Sequence, residues 1–164
     1  MKKTRCLLLV IILGIFSFIQ CEKDDICLEG TPGTPKLIIR FFDTNDNSLS
    51  KIPEGLVVRA IGSSFTLDSS NSDSIGLPLD ATALFSKFEF ISEFGSDNEN
   101  IDTLQFNYTR DDVYINRACG YRGTFIFNSP ALNTLNSGND WVQGYNIIKD
   151  TITDETSYHL AVFH

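Results

Sequence analysis

Ser86–Phe94 reads SKFEFISEF and Thr103–Arg110 reads TLQFNYTR. In the second stretch Leu104, Phe106 and Tyr108 alternate with Gln105, Asn107 and Thr109. In the first, Phe88, Phe90 and Ser92 share one face, and Glu89, Ile91 and Glu93 the other. Successive side chains of an extended strand point to opposite sides, so a period of two gives each segment one packed face and one wetted face. The polar run Gly95–Asn100 between them reads as a turn.

Short β-like runs continue in both directions from this pair. They are Lys36–Asp43 (KLIIRFFD), Leu56–Ile61 (LVVRAI), Ser64–Leu67, Ser74–Leu79, Asp112–Asn116, Gly120–Phe127, Tyr145–Thr151 and Ser157–Phe163. The loops Asp43–Lys51, Asp68–Ser74 and Ser129–Asp140 are rich in Asn, Asp, Ser and Gly. No window of helical length carries an apolar stripe, and single helical turns are expected only near Asp80–Phe85 and Pro130–Leu135. Strands at this spacing predict an all-β fold, an antiparallel β-sandwich (Ig-like or jelly-roll-like) of seven to nine strands. One domain is expected over residues 36–164, with most of the 13 Phe in its core.

The N-terminus has a different character. Lys2, Lys3 and Arg5 precede an apolar run from Cys6 to Ile19, broken only by Gly14 and Ser17. A spanning helix needs about 20 apolar residues, whereas the apolar region of a secretory signal needs roughly 7–15. Length therefore predicts a signal peptide over residues 1–20. Gln20-Cys21 follows, and then Glu22-Lys23-Asp24-Asp25.

A cysteine at that junction resembles the lipobox of bacterial lipoproteins, although Gln20 stands where a small residue is usual and Phe18 where Leu is. The resemblance implies cleavage before Cys21, acylation of its thiol and a durable membrane tether, each buried methylene contributing about 0.8 kcal/mol. Lys23-Asp24-Asp25 resembles the export signal that sends Bacteroidota lipoproteins to the outer face of the outer membrane. The expected location is thus the outer membrane, surface-exposed, with the periplasmic leaflet as the alternative. Residues 21–35 form the linker, because Thr31-Pro32-Gly33-Thr34-Pro35 suits neither helix nor interior strand. With Cys6 removed and Cys21 acylated, Cys27 and Cys119 remain, and an oxidising compartment predicts their disulfide. Two buried free thiols are the alternative.

The wider chain is also familiar. Cys21–Cys27, Thr34–Asp43, Gly76-Leu77-Pro78-Leu79 and Arg117-Ala118-Cys119-Gly120-Tyr121-Arg122 together resemble an uncharacterised family of small Bacteroidota (flavobacterial-type) lipoproteins, a domain of unknown function. The resemblance implies an envelope lipoprotein and carries over no catalytic residue.

Charge narrows the partners. Taking Lys2, Lys3 and Arg5 from 13 basic residues leaves 10 against 21 acidic ones, a net of −11 after cleavage. No basic cluster exists to replace counterions on phosphates, so nucleic acid is not an expected partner. The expected contacts are the membrane, through lipid, and an envelope protein or glycan.

Chemistry-bearing constellations are sparse. Asp43, Asn45, Asn47 and Glu54 match positions 1, 3, 5 and 12 of a calcium loop, but Ser48 replaces the turn glycine and a plain Asn/Asp loop explains them as well. No metal or cofactor is expected. His159 and His164 are the only histidines, His164 is expected to be mobile, and no nucleophile or phosphate motif is present. Asp111-Asp112, Glu89/Glu93 and Asp154-Glu155 are the carboxylate pairs available to a hydrolase; solvated turns explain them too. The expectation is a protein that is not an enzyme. Arg110, Arg117 and Arg122 surround Asp111-Asp112 and Tyr108, Tyr114 and Tyr121, either as a binding face or as cross-strand pairs. Trp141, Tyr121 and Arg122 are the candidate ligand contacts, Trp141 either stacking on a sugar ring or plugging the core. Asp73-Ser74-Ile75, Asp102-Thr103-Leu104 and Asp150-Thr151-Ile152 resemble O-glycosylation sequons. The role expected is an envelope interaction or accessory module, with a glycan-binding module as the alternative.

Overall fold

The computed structural model describes residues 26–62, 64–136 and 138–164. The expected signal peptide, Cys21 and the Lys23, Asp24, Asp25 motif lie outside the described residues. The chain divides into two units, residues 1–31 with Ile115–Gly120, and Pro32–Tyr114 with Tyr121–His164.

In the first unit Cys27 and Cys119 form the expected disulfide, with Cα atoms 4.8 Å apart. Thr31 closes a turn on the Leu28 carbonyl through both its amide (3.1 Å) and its hydroxyl (2.7 Å).

The second unit is an all-β sandwich. Its strands are β1 Leu37–Phe42, β2 Val57–Ala60, β3 Thr66–Asp68, β4 Ser74–Leu77, β5 Phe85–Ser92, β6 Asn100–Asn116, β7 Gly120–Thr134, β8 Gly144–Ile147, β9 Thr151–Ile152 and β10 Leu160–Phe163, with β6 and β7 running on into the first unit. One sheet has the order β4-β1-β10-β8 and the other β3-β2-β5-β6-β7-β9. Among the described residues the sandwich thus has ten strands rather than seven to nine. The expected strand at Tyr145–Thr151 is two strands, β8 and β9, in different sheets. Pairing is antiparallel except between β1 and β10, which run parallel with Ile39 opposite Leu160 and Phe41 opposite Val162.

Period two decides what is buried. Leu37, Ile39 and Phe41 of β1 face Val58, Phe88, Phe90, Leu104, Phe106, Tyr108 and Phe125 across one core. Each fully buried large side chain contributes about 1.5–3 kcal/mol of transfer free energy. Two expectations fail at Pro130–Leu135 and Asp80–Phe85. The first is strand instead of loop or helical turn, because Ala131 and Leu132 are drawn into the core. The second holds a turn and the start of β5, and Asp80 Oδ1 takes the Thr82 amide at 2.8 Å. Among the described residues there is no helix.

Two glycines permit close approaches. Gly55 has φ +56°, and a Cβ there would lie 3.2 Å from both Glu93 Cα and Phe94 N. Gly123 lets Thr34 lie against β7, its amide donating to Thr34 Oγ1 at 3.0 Å.

Candidate functional site

Three regions gather polar or aromatic side chains. The first is the ribbon formed by β6 and β7 beyond Tyr108. Up to Tyr108 the strand alternates between buried and part-exposed positions, but from Thr109 to Tyr114 every residue is exposed. Both faces of β6 are exposed there, although Thr124 of the neighbouring β7 is buried and donates to the Asp111 carbonyl at 3.3 Å. Tyr114 and Tyr121 stack edge-to-face across the ribbon, ring centroids 5.2 Å apart, with 56% and 67% of their surface exposed. Arg110 pairs with Asp112 and donates to the Ala81 carbonyl at 2.9 Å, which props the base of the ribbon. Thr109 Oγ1 donates to Asn128 Oδ1 at 2.9 Å across the strands. Arg122 follows Tyr121 on β7 and lines an open groove of about 590 Å³ with Pro32, Thr34, Asp154 and Thr156.

Tyr108 does not join that ribbon cluster. It is fully buried; its hydroxyl donates to the Asp80 carbonyl at 2.9 Å and sits 2.6 Å from Ser86 Oγ. Ser86 Oγ also accepts the Asp80 amide at 2.8 Å. Burial raises the phenol's pKa above its ordinary value, offset by the bond to Ser86.

The second region surrounds Asp102, which is 0% exposed on the core-facing side of β6. Its Oδ1 accepts Asn136 Nδ2 at 2.7 Å and its Oδ2 the Val142 amide at 2.8 Å. Asn136 also accepts the Thr103 amide (2.8 Å) and donates to the Ile101 carbonyl (2.8 Å). One carboxylate thus fastens both ends of the loop between β7 and β8. Burial raises its pKa, the Val142 amide opposes that rise, and the Asp140 charge adds to it. Asp140 Oδ1 is itself buried without a hydrogen-bond partner. The sequon at Asp102-Thr103-Leu104 therefore begins on a side chain that solvent does not reach.

The third region is the aromatic corner around Trp141. The indole N–H donates to the Phe90 carbonyl at 3.0 Å, and the ring packs on the core. His164 meets it edge-on at 5.6 Å and Phe41 lies 6.4 Å away. This is the arrangement of a core plug. His164 is held rather than mobile, its amide donating to the Phe42 carbonyl at 3.1 Å. Burial lowers its pKa. His159 is buried as well, and its Nδ1 accepts the Ile38 amide at 3.1 Å. The ring proton therefore sits on Nε2, which is buried and has no partner. Its pKa falls through burial first and the Lys149 charge second.

The remaining carboxylates serve turns and strand pairs. Asp43 Oδ1 accepts the Asn45 amide at 2.7 Å and Asn45 Nδ2 at 3.0 Å, and the backbone bond chiefly lowers its pKa. Asp46 does the same for Ser48. The first candidate oxygen of the calcium-like loop, Asp43 Oδ1, is thus spent on an Asx turn. Asp154 accepts from the Thr156 hydroxyl and amide and is lowered to about 2. A carboxyl so acidic is an anion at neutral pH with no proton to donate. Glu89 pairs with Arg59 across β2 and β5 at 3.0 Å. Among the described residues no three His, Cys, Asp or Glu side chains converge as a metal set.

Sequence reasoning named Tyr121, Arg122 and Tyr114 and missed Asp102 and Asn136. A signal for Asp102 was present, since the register of Leu104, Phe106 and Tyr108 carries it onto the apolar face.

A family of unknown function, DUF6452, matches residues 55–164. No curated protein and no solved structure matches the chain.

Proposed function

The chain belongs to the DUF6452 family of unknown function, and from that premise we propose that it is a non-enzymatic lipoprotein of the bacterial outer membrane, displayed at the cell surface as an interaction or accessory module. Cys21 carries the reading, because an apolar run of signal length ends there and a charged linker begins. The Cys27–Cys119 disulfide supports an extracytoplasmic address, since such bonds persist where the compartment is oxidising. The charged triplet Lys23, Asp24, Asp25 supports outward display, and the resemblance to Bacteroidota lipoproteins supports the same address.

The mechanism is local concentration. A lipid-held body diffuses in two dimensions, which raises its effective molarity toward a partner in the same membrane. The acidic body repels anionic surfaces, so lipid and not charge makes the attachment.

Intact mass of the protein extracted from native membranes tests the reading. Cleavage before Cys21 with added acyl mass is expected; an uncleaved leader or an acyl-free Cys21 overturns it. Protease added to whole cells then tests display. Digestion of the body is expected, and a body protected until the outer membrane is opened places it on the inner leaflet.

A further inference from the structure

We infer that the Tyr114–Tyr121 end of the β6–β7 ribbon is an interfacial foot that rests on the lipid surface to which the chain is tethered. The inference builds on acylation of Cys21. It starts from the exposed rings. Val113, Tyr114 and Tyr121 are 39%, 56% and 67% exposed on a ribbon whose β6 strand is open to solvent on both faces from Thr109 to Tyr114. Tyrosine joins an apolar ring to a hydroxyl that stays hydrated, a combination suited to the headgroup layer.

Charge agrees. The cleaved chain carries a net −11, but from Arg110 to Arg122 the three arginines Arg110, Arg117 and Arg122 outnumber Asp111 and Asp112. An aromatic element with no net negative charge approaches a bilayer without the repulsion that the acidic body feels.

The covalent route supplies the occupant. Six chain steps separate Cys21 from Cys27, a span of at most about 22 Å. The disulfide adds 4.8 Å between Cα atoms, and two further steps reach Tyr121 within about 7 Å. The acylated residue and Tyr121 are therefore joined by a path of at most about 35 Å, shorter than the full thickness of a bilayer. Without the disulfide the shortest path would run through the whole sandwich. Confinement at that range gives lipid a high effective concentration around the two rings, so a weak interfacial preference suffices.

Trp141 is the only tryptophan, which makes the test spectroscopic. The protein is purified from membranes, its mass recorded, and reconstituted into phosphatidylcholine vesicles with plain or brominated acyl chains. Wild-type emission is expected to be the same in both. Tyr121→Trp, at an exposed position that tolerates the change, is expected to add blue-shifted emission that brominated lipid quenches, and Tyr114→Trp the same. Added emission that is water-like and unquenched in a protein of correct acylated mass overturns the foot and leaves the tether standing. A mass without acyl groups removes both. Quenching of Trp141 in the wild type means that the body lies on the bilayer and overturns the foot. Retention on a polysaccharide that Tyr121→Ala abolishes, with no lipid quenching, reassigns the rings to a glycan.

Discussion

Removing the Asp102 carboxylate should loosen the loop that joins β7 to β8. In Asp102→Ala, the Val142 amide and one N–H of Asn136 lose their acceptor inside the protein. A buried donor without a partner costs about 1–3 kcal/mol, so the pair costs about 2–6 kcal/mol. Relief of the buried charge offsets part of this, because burial already raises the carboxyl's pKa. A net loss of about 2–4 kcal/mol remains, which lowers Tm by roughly 10 °C in a domain of this size. Asp102→Asn keeps one acceptor and turns an N–H toward a donor, and should fall between the two. The pH dependence has a definite sign. A folded pKa above the unfolded value means that the folded protein holds the proton more tightly, so the carboxylate lowers stability as pH rises through the raised pKa. His159 and His164, whose pKa values are lowered, act oppositely below their unfolded value of 6.5. Subtracting the Asp102→Asn melt from the wild-type melt at each pH cancels them. That difference should move in favour of the wild type as pH falls from 7 toward 4. Exchange of the Val142 amide, measured by NMR, should accelerate in Asp102→Ala. An Asp102→Ala protein that melts at or above the wild type at pH 7, with Val142 still protected, would refute the reasoning.

Serine at both Cys27 and Cys119 opens a loop whose ends are 92 residues apart. In the chain-entropy treatment the bond is worth about 4–5 kcal/mol; a calorimetric midpoint equal to the wild type's and indifferent to reductant would contradict this. Tyr108→Phe leaves the Asp80 carbonyl without its buried donor and should cost about 1–3 kcal/mol, read as a lower denaturant midpoint at constant slope. Because burial raises the Tyr108 pKa, one of the 5 tyrosines should resist ionisation above pH 10 and stability should fall as pH rises there; five phenols titrating together would contradict it. Gly55→Ala puts a side chain at φ +56° against the Glu93 and Phe94 backbone and should cost about 1–3 kcal/mol in thermal melts, whereas an unchanged Tm would mean that this turn relaxes freely.

The sandwich was legible where alternation is strict. Phe88, Phe90, Leu104, Phe106 and Tyr108 announce their shared face because each polar neighbour between them can stay wet. Pro130–Leu135 was illegible because its polar residues dominate the composition, while only Ala131 and Leu132 report burial. Asp102 shows the opposite error. The same alternation that identifies the strand places a carboxylate on the packed face, and a short sequon-like match drew the reading to its neighbour. Trp141 was left open because a lone aromatic in a Gly/Asn loop carries no period; only the bond to Phe90 O decides its surroundings. The parallel pairing of β1 with β10 has no local signature, since direction depends on the path of the whole chain.

That pairing constrains how the protein comes into being. Paired residues of the two strands lie 121 apart in sequence, as Ile39 does from Leu160. Synthesis from the N-terminus delivers β1 early and β10 last. During the interval β4 alone shields β1, and the hydrogen-bonding edge that awaits β10 is free to recruit a stranger. Closure of the β4-β1-β10-β8 sheet therefore waits on the last residues of the chain.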